Sequence, residues 1–167
     1  MIIRKRKDQK RADILSILRY GTVGILLVYV IVLMVKKGDG NAAFSETASA
    51  VEDVVNTDKL TKGGSQDLKR LYRLHSGDYE DVLLYYTRET MGVEEVLLIH
   101  VRSQNDTEAV EEAIEKRRQA QLANFEGYGA KQVNLLDSSI IKTKGRYVLF
   151  VVSPDADRIE KAFNHVV

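Results

Sequence analysis

Ile114, Arg117, Gln121, Phe125 and Tyr128 step by three, four, four and three residues. At about 3.6 residues per turn they fall on one stripe of a helix and its exit. Arg117 and Gln121 set a guanidinium and an amide into an otherwise apolar stripe. Burying them unpaired would cost on the order of a few kcal/mol. Each must therefore meet a helix-end carbonyl, a carboxylate or a ligand. The simplest reading has Arg117 tying its helix to a loop or a carboxylate; the sharper one makes it part of a ligand site. Tyr85 and Tyr86 are placed to line the neighbouring surface. His100, set among apolar residues, reads first as a hydrogen-bonded structural histidine and second as a ligand or base. The candidate ligand-binding residues are thus Arg117, Gln121, Tyr128, Tyr85 and His100.

Bond-making chemistry is harder to find. The chain has no cysteine, which excludes a disulfide framework, a thiolate zinc site, an iron–sulfur cluster and a cysteine nucleophile. It has no G-x-S-x-G, H-E-x-x-H, phosphate-loop or EF-hand pattern. His75, His100 and His165 are far apart. Asp155 and Asp157 read as first-turn charges of a helix. Glu94-Glu95 and Glu111-Glu112 read as exposed charge, and spacing alone selects no catalytic pair. Asn105-Asp106-Thr107 fits a glycosylation sequon, but a helix cap explains it. Gly38 to Ala43 matches a dinucleotide pattern without the strand-to-helix context that it needs. No catalytic residue, metal or cofactor is expected. The alternative is an envelope hydrolase whose site is assembled from residues distant in sequence.

The elements that position these residues follow from period and punctuation. Charged residues make up 29% and hydrophobic ones 44% of 167 residues, a globular composition. Ser45 opens a helix of about ten residues. Gly63-Gly64 breaks the chain, and Ser65 caps a second short helix. Val82–Tyr86 and Val96–Val101 predict a hairpin, apolar on both faces, so its sheet is expected to be covered on both sides. Asn105 or Asp106 caps a helix running to about Asn124. Gln132–Leu136 adds a helical turn. Ser139–Lys142 and Arg146–Val152 predict a second hairpin around Lys144-Gly145. Ser153-Pro154-Asp155 starts a last helix, with proline at its first position, that buries Ile159, Ala162 and Phe163. The expected fold is α+β, one mostly antiparallel four-stranded sheet of two hairpins packed with helices.

The amino-terminal segment is different. Tyr20–Val35 carries no charge over sixteen residues, and Ile14 to Leu18 extend its apolar character. The run is apolar all round and predicts a single transmembrane helix over 14–37. Arg19, Tyr20, Lys36 and Lys37 are its interface anchors. Residues 1–37 hold nine basic and two acidic residues, the remainder sixteen and twenty-two, so +7 stands against −6. Basic residues crowd Arg4–Arg11, which places the amino terminus in the cytoplasm and the body outside. No small-residue cleavage site follows the run closely, so a signal anchor is preferred to a cleaved signal peptide. The arm attracts anionic inner-leaflet lipids; without interleaved aromatics it does not read as a nucleic-acid site. The expected organisation is a cytoplasmic arm over 1–13, the span, a tether over 38–44 and an extracytoplasmic domain over 45–167.

Ile114–Phe163 resembles members of the domain-of-unknown-function family DUF4358, and Gln66–Ser103 resembles the family's front half. The resemblance implies small exported or membrane-tethered bacterial proteins without an assigned activity. Where lipoprotein-like members anchor through a cysteine, this chain has only its apolar helix. Where many members have proline after the pair that corresponds to Tyr128-Gly129, it has Ala130. The resulting expectation is a single-pass cell-membrane protein whose outer domain binds a ligand or an envelope protein partner.

Overall fold

The computed structural model describes residues 43–167, together with Tyr20, Thr22 and residues 24–28 of the amino-terminal segment. The latter group is helical, with Tyr20 and Ile25 to Val28 exposed. The rest of the predicted span lies outside the described residues, as do Arg4–Arg11, Arg19, Lys36 and Lys37. Among the described residues no helix is long and apolar enough to cross a membrane. Met1–Gly38 and Asp39–Val167 separate as two compact units, and every described strand belongs to the second.

Helix α1 (Phe44–Glu52) is followed by strand β1 (Thr61–Lys62), helix α2 (Ser65–Tyr72) and the hairpin β2 (Asp81–Tyr86) and β3 (Glu95–His100). Then come α3 (Thr107–Phe125), α4 (Ala130–Asp137), the hairpin β4 (Ile140–Lys144) and β5 (Tyr147–Val152), and α5 (Ala156–Val166). The strands form one sheet in the order β1-β2-β3-β5-β4, antiparallel throughout. The two hairpins meet along β3 and β5, every residue of which is buried.

The sheet has five strands, not the four expected. The additional strand, β1, is two residues long, too short for a period to show. It pairs Thr61 with Tyr86 and Lys62 with Tyr85, and the Gly63 amide extends the ladder by donating to the Leu84 carbonyl at 2.8 Å. A Cβ on Gly63 would lie 2.7 Å from Leu84 Cδ2, so glycine is what lets the chain come this close.

Both faces are covered, as the apolar strands required. On one face Leu84, Leu97, Ile99, Val148 and Phe150 pack beneath α2, α3 and α4 through Leu68, Tyr72, Val110, Ile114 and Leu136. On the other Leu83, Val96, Leu98, Leu149 and Val151 meet α1 and α5 through Ala48, Val51, Ile159 and Phe163. Period-two alternation sorts each strand between these layers.

Several element ends differ from expectation for local reasons. Helix α2 starts at Ser65 because Gly64 is its cap, and the Asp67 carboxylate accepts from the Gly64 amide at 3.1 Å. Neither Asn105 nor Asp106 caps α3 by its side chain. Ser103 accepts from the Asn105 amide and Asp106 reaches back to the Ser103 amide, winding a 3₁₀ turn that feeds the helix. Helix α5 begins at Ala156, because Pro154 occupies a preceding turn in which Ser153 Oγ accepts from the Asp155 amide. Ala162 is only half-buried. The β4–β5 loop is Gly145-Arg146, with positive φ (58°) at the glycine alone, the pattern of a type II′ hairpin turn.

Candidate functional site

The predicted stripe on α3 faces the sheet: Val110, Ile114, Gln121 and Phe125 are buried and Arg117 is half-buried. Where the apolar stripe is interrupted, Glu95 stands at the start of β3, 1% exposed. Arg117 Nη2 donates to Glu95 Oε2 at 3.1 Å. The Gln121 amide, oriented to suit its neighbours, donates to Glu95 Oε1 at 3.2 Å and accepts from Arg117 Nη2 at 2.9 Å. The polar residues of the stripe are thus knotted to one buried carboxylate. Burial pushes the Glu95 carboxyl above its usual value, with Arg117 pulling the other way. Tyr72 of α2 closes the knot from above. Its hydroxyl is buried close to Glu95 without a well-formed hydrogen bond.

The other sequence candidates lie elsewhere. Tyr85 belongs to the opposite face of the sheet, where its hydroxyl donates to Glu52 Oε1 at 2.7 Å. Tyr86, one residue on, faces the Arg117 layer. Its hydroxyl donates to Asp67 Oδ1 at 2.9 Å and the Arg70 guanidinium lies 5.4 Å from its ring centre. Asp67 is lowered to about 2 by Arg70, the Gly64 amide and Tyr86. Tyr128 is 67% exposed and leans on Phe125, away from the knot.

His100 lies at the far end of β3 from Glu95, roughly 17 Å along the strand at about 3.3 Å per residue, and on the opposite face. It is buried, and its ring stacks on Tyr147 at 4.3 Å and Phe44 at 6.4 Å. Its Nδ1 lies 3.2 Å from Glu80 and 3.9 Å from Asp81, out of line for a good hydrogen bond. Burial, then Arg146, lower its pKa below the usual 6.5, against Glu80 and Asp81. Lowering means that neutral His100 supports the fold above pH 6.5, and that this support is lost as pH falls through the folded value. Acid titration of thermal stability should show a loss beginning below about pH 6.5 that His100→Phe removes. An unchanged acid limb in that variant would assign the loss to other groups.

Sequence alone hides Glu95, because Glu94-Glu95 resembles solvated charge. Its signal is parity. Counting back by twos from Ile99 through Leu97 brings Glu95 to the face that meets α3. Tyr72, Arg70 and Arg73 give no signal without the α2–α3 packing.

Two hollows adjoin the knot. One, of about 510 Å³, lies between α2 and α3 and includes Arg70, Arg73, Lys116 and Arg117 in its lining. The second, of about 470 Å³, runs towards the β2–β3 loop and includes Arg70, Arg88 and Arg117. A larger open hollow of about 790 Å³, between α3 and β4, is walled by Glu108, Glu111, Glu112 and Glu115. It is mainly acidic, and none of Tyr72, Glu95, Arg117 and Gln121 lines it.

The fold and site define a three-layer α/β/α domain with one buried ion-pair knot beneath a cationic groove. The family profile described as "Domain of unknown function (DUF4358)" matches residues 52–153, so the chain belongs to the DUF4358 family. The match spans the sheet, the knot and the groove. No curated protein and no solved structure matches the chain significantly.

Proposed function

We propose that this protein is a single-pass, membrane-anchored binding protein whose 45–167 domain lies outside the cytoplasm and holds a ligand or an envelope partner. The observation that carries the reading is the uncharged run Tyr20–Val35 set between Arg4–Arg11 and Lys36-Lys37. A segment of that length and charge flank favours insertion with its more basic side retained. Arg4–Arg11 would then rest against anionic inner-leaflet lipids. The groove beside Arg117 supports a binding role, since its walls offer guanidinium and ammonium groups that can hold a ligand.

Topology tests this directly. A reporter active only outside the membrane should work when fused after Val167 and fail when fused near Arg11, on a chain of full length. Activity at Arg11 alone would reverse the orientation and make the acidic domain a cytoplasmic docking module. A shortened mature chain would replace the anchor by a cleaved signal.

A further inference from the structure

The two hollows beside the knot adjoin at Arg70, Leu71 and Arg117, which line both, and together they make up the groove. Five cations line it, Arg70, Arg73, Arg88, Lys116 and Arg117, against Glu89 and Glu112. This excess of positive charge sits on a body whose residues from 38 onward sum to −6. Three of the cations have counter-ions: Arg117 with Glu95, Arg70 with Asp67 and Lys116 with Glu112. Arg73 and Arg88 are exposed and have none among the described residues.

Arg73 carries a second observation. It ends α2 in the left-handed conformation, φ 62°, and is the one non-glycine residue with positive φ among the described residues. Glycine takes that conformation without strain and is the usual residue after a helix. The arginine there is strained, and it places a positive charge at the groove. A third observation is Arg117 Nε, which is buried and has no hydrogen-bond partner.

We propose that this groove binds a linear chain of phosphate groups. Guanidinium groups pair bidentately with oxyanions. A phosphate accepts such donors from several sides, whereas a carboxylate offers two oxygens in one plane. Arg73 and Arg88 line different hollows, so a ligand that uses both presents charges in succession. Binding deepens the reading of the domain as a binding module and does not depend on its membrane topology.

The test uses the full chain in neutral detergent micelles and a fluorescent linear polyphosphate, read by anisotropy. Saturable binding that weakens with added salt is expected. The double variant Arg73→Gly, Arg88→Gln should bind at least about tenfold more weakly, because it loses two charge-assisted contacts. Its melting temperature should not fall, because glycine relieves the strain at position 73. The arm Arg4–Arg11 is the same in both chains, so binding that the double variant keeps in full belongs to the arm and overturns the proposal. Equal affinity for poly-glutamate overturns the phosphate assignment. Displacement by a soluble short-chain phosphatidylglycerol at matched phosphate concentration transfers the site to a lipid headgroup and overturns the polymer. Absence of saturable binding overturns all of it. None of these outcomes alters the topology experiment.

Discussion

Replacing Glu95 with alanine is expected to lower the unfolding free energy by about 3–5 kcal/mol, the usual cost of removing one partner of a buried ion pair. The substitution leaves the Arg117 guanidinium and the Gln121 amide without their shared acceptor, in a site where Glu95 is 1% exposed. Glu95→Gln keeps the shape and one acceptor and should lose clearly less. Denaturant titrations followed by circular dichroism compare the three chains. A Glu95→Ala loss under about 1 kcal/mol would mean that Arg117 finds another acceptor or reaches water. The pH dependence has a definite sign. Burial raises the Glu95 pKa above 4.5, so the folded state holds the proton more readily than the unfolded one. The ionised carboxylate therefore costs stability above the folded value, and the cost is relieved as pH falls towards 4.5. Wild type should gain on Glu95→Gln as pH is lowered through that window.

The second large effect is at Phe150. Its ring is fully buried in β5 and meets Tyr72 edge-on, with centroids 6.4 Å apart and planes at 85°. Phe150→Ala removes that packing and should cost about 3–5 kcal/mol. Tyr72 stands between Phe150 and Glu95, so the two sites share a neighbour. The double variant Glu95→Ala, Phe150→Ala should depart from the sum of its singles by about 0.5 kcal/mol or more. Phe163 packs in the other layer, against Tyr147. Phe163→Ala combined with Glu95→Ala should be additive. Strict additivity in both pairs would show that Tyr72 transmits nothing between the core and the knot.

Much of the fold was legible because its central strands are strongly marked. VLLYY, VLLIHV and YVLFVV are short apolar runs rich in β-branched and aromatic residues, with Gly92 between the first two and Gly145 and Pro154 near the ends of the third. The stripe on α3 was legible too, and with it the need of Arg117 for a partner; a carboxylate is what the structure supplies. Which carboxylate was not legible, nor which tyrosine shares its face. Those answers turn on parity, since a shift of one residue along a strand moves a side chain to the other layer. Tyr85 and Tyr86 are adjacent in sequence and look inward to different helices. His100 and Glu95 differ by an odd number and are separated in the same way. The edge strand β1 carries no pattern because two residues cannot show one. The groove was invisible because its cations come from α2, α3 and the β2–β3 loop, which only packing brings together.

The seam between β3 and β5 also orders events in time. Each hairpin pairs neighbours in the chain, whereas the seam joins His100 to Tyr147 and Glu95 to Val152. Closing it brings together segments roughly 50 residues apart, and such contacts are slow to offset their loop entropy. The hairpins are therefore expected to assemble first and to dock late. Glu95 sits at one end of that seam and its partner on the helix that crosses between the two halves. Substitutions in the ion-pair knot are therefore expected to speed unfolding more than they slow folding, as stopped-flow rates on Glu95→Gln would read.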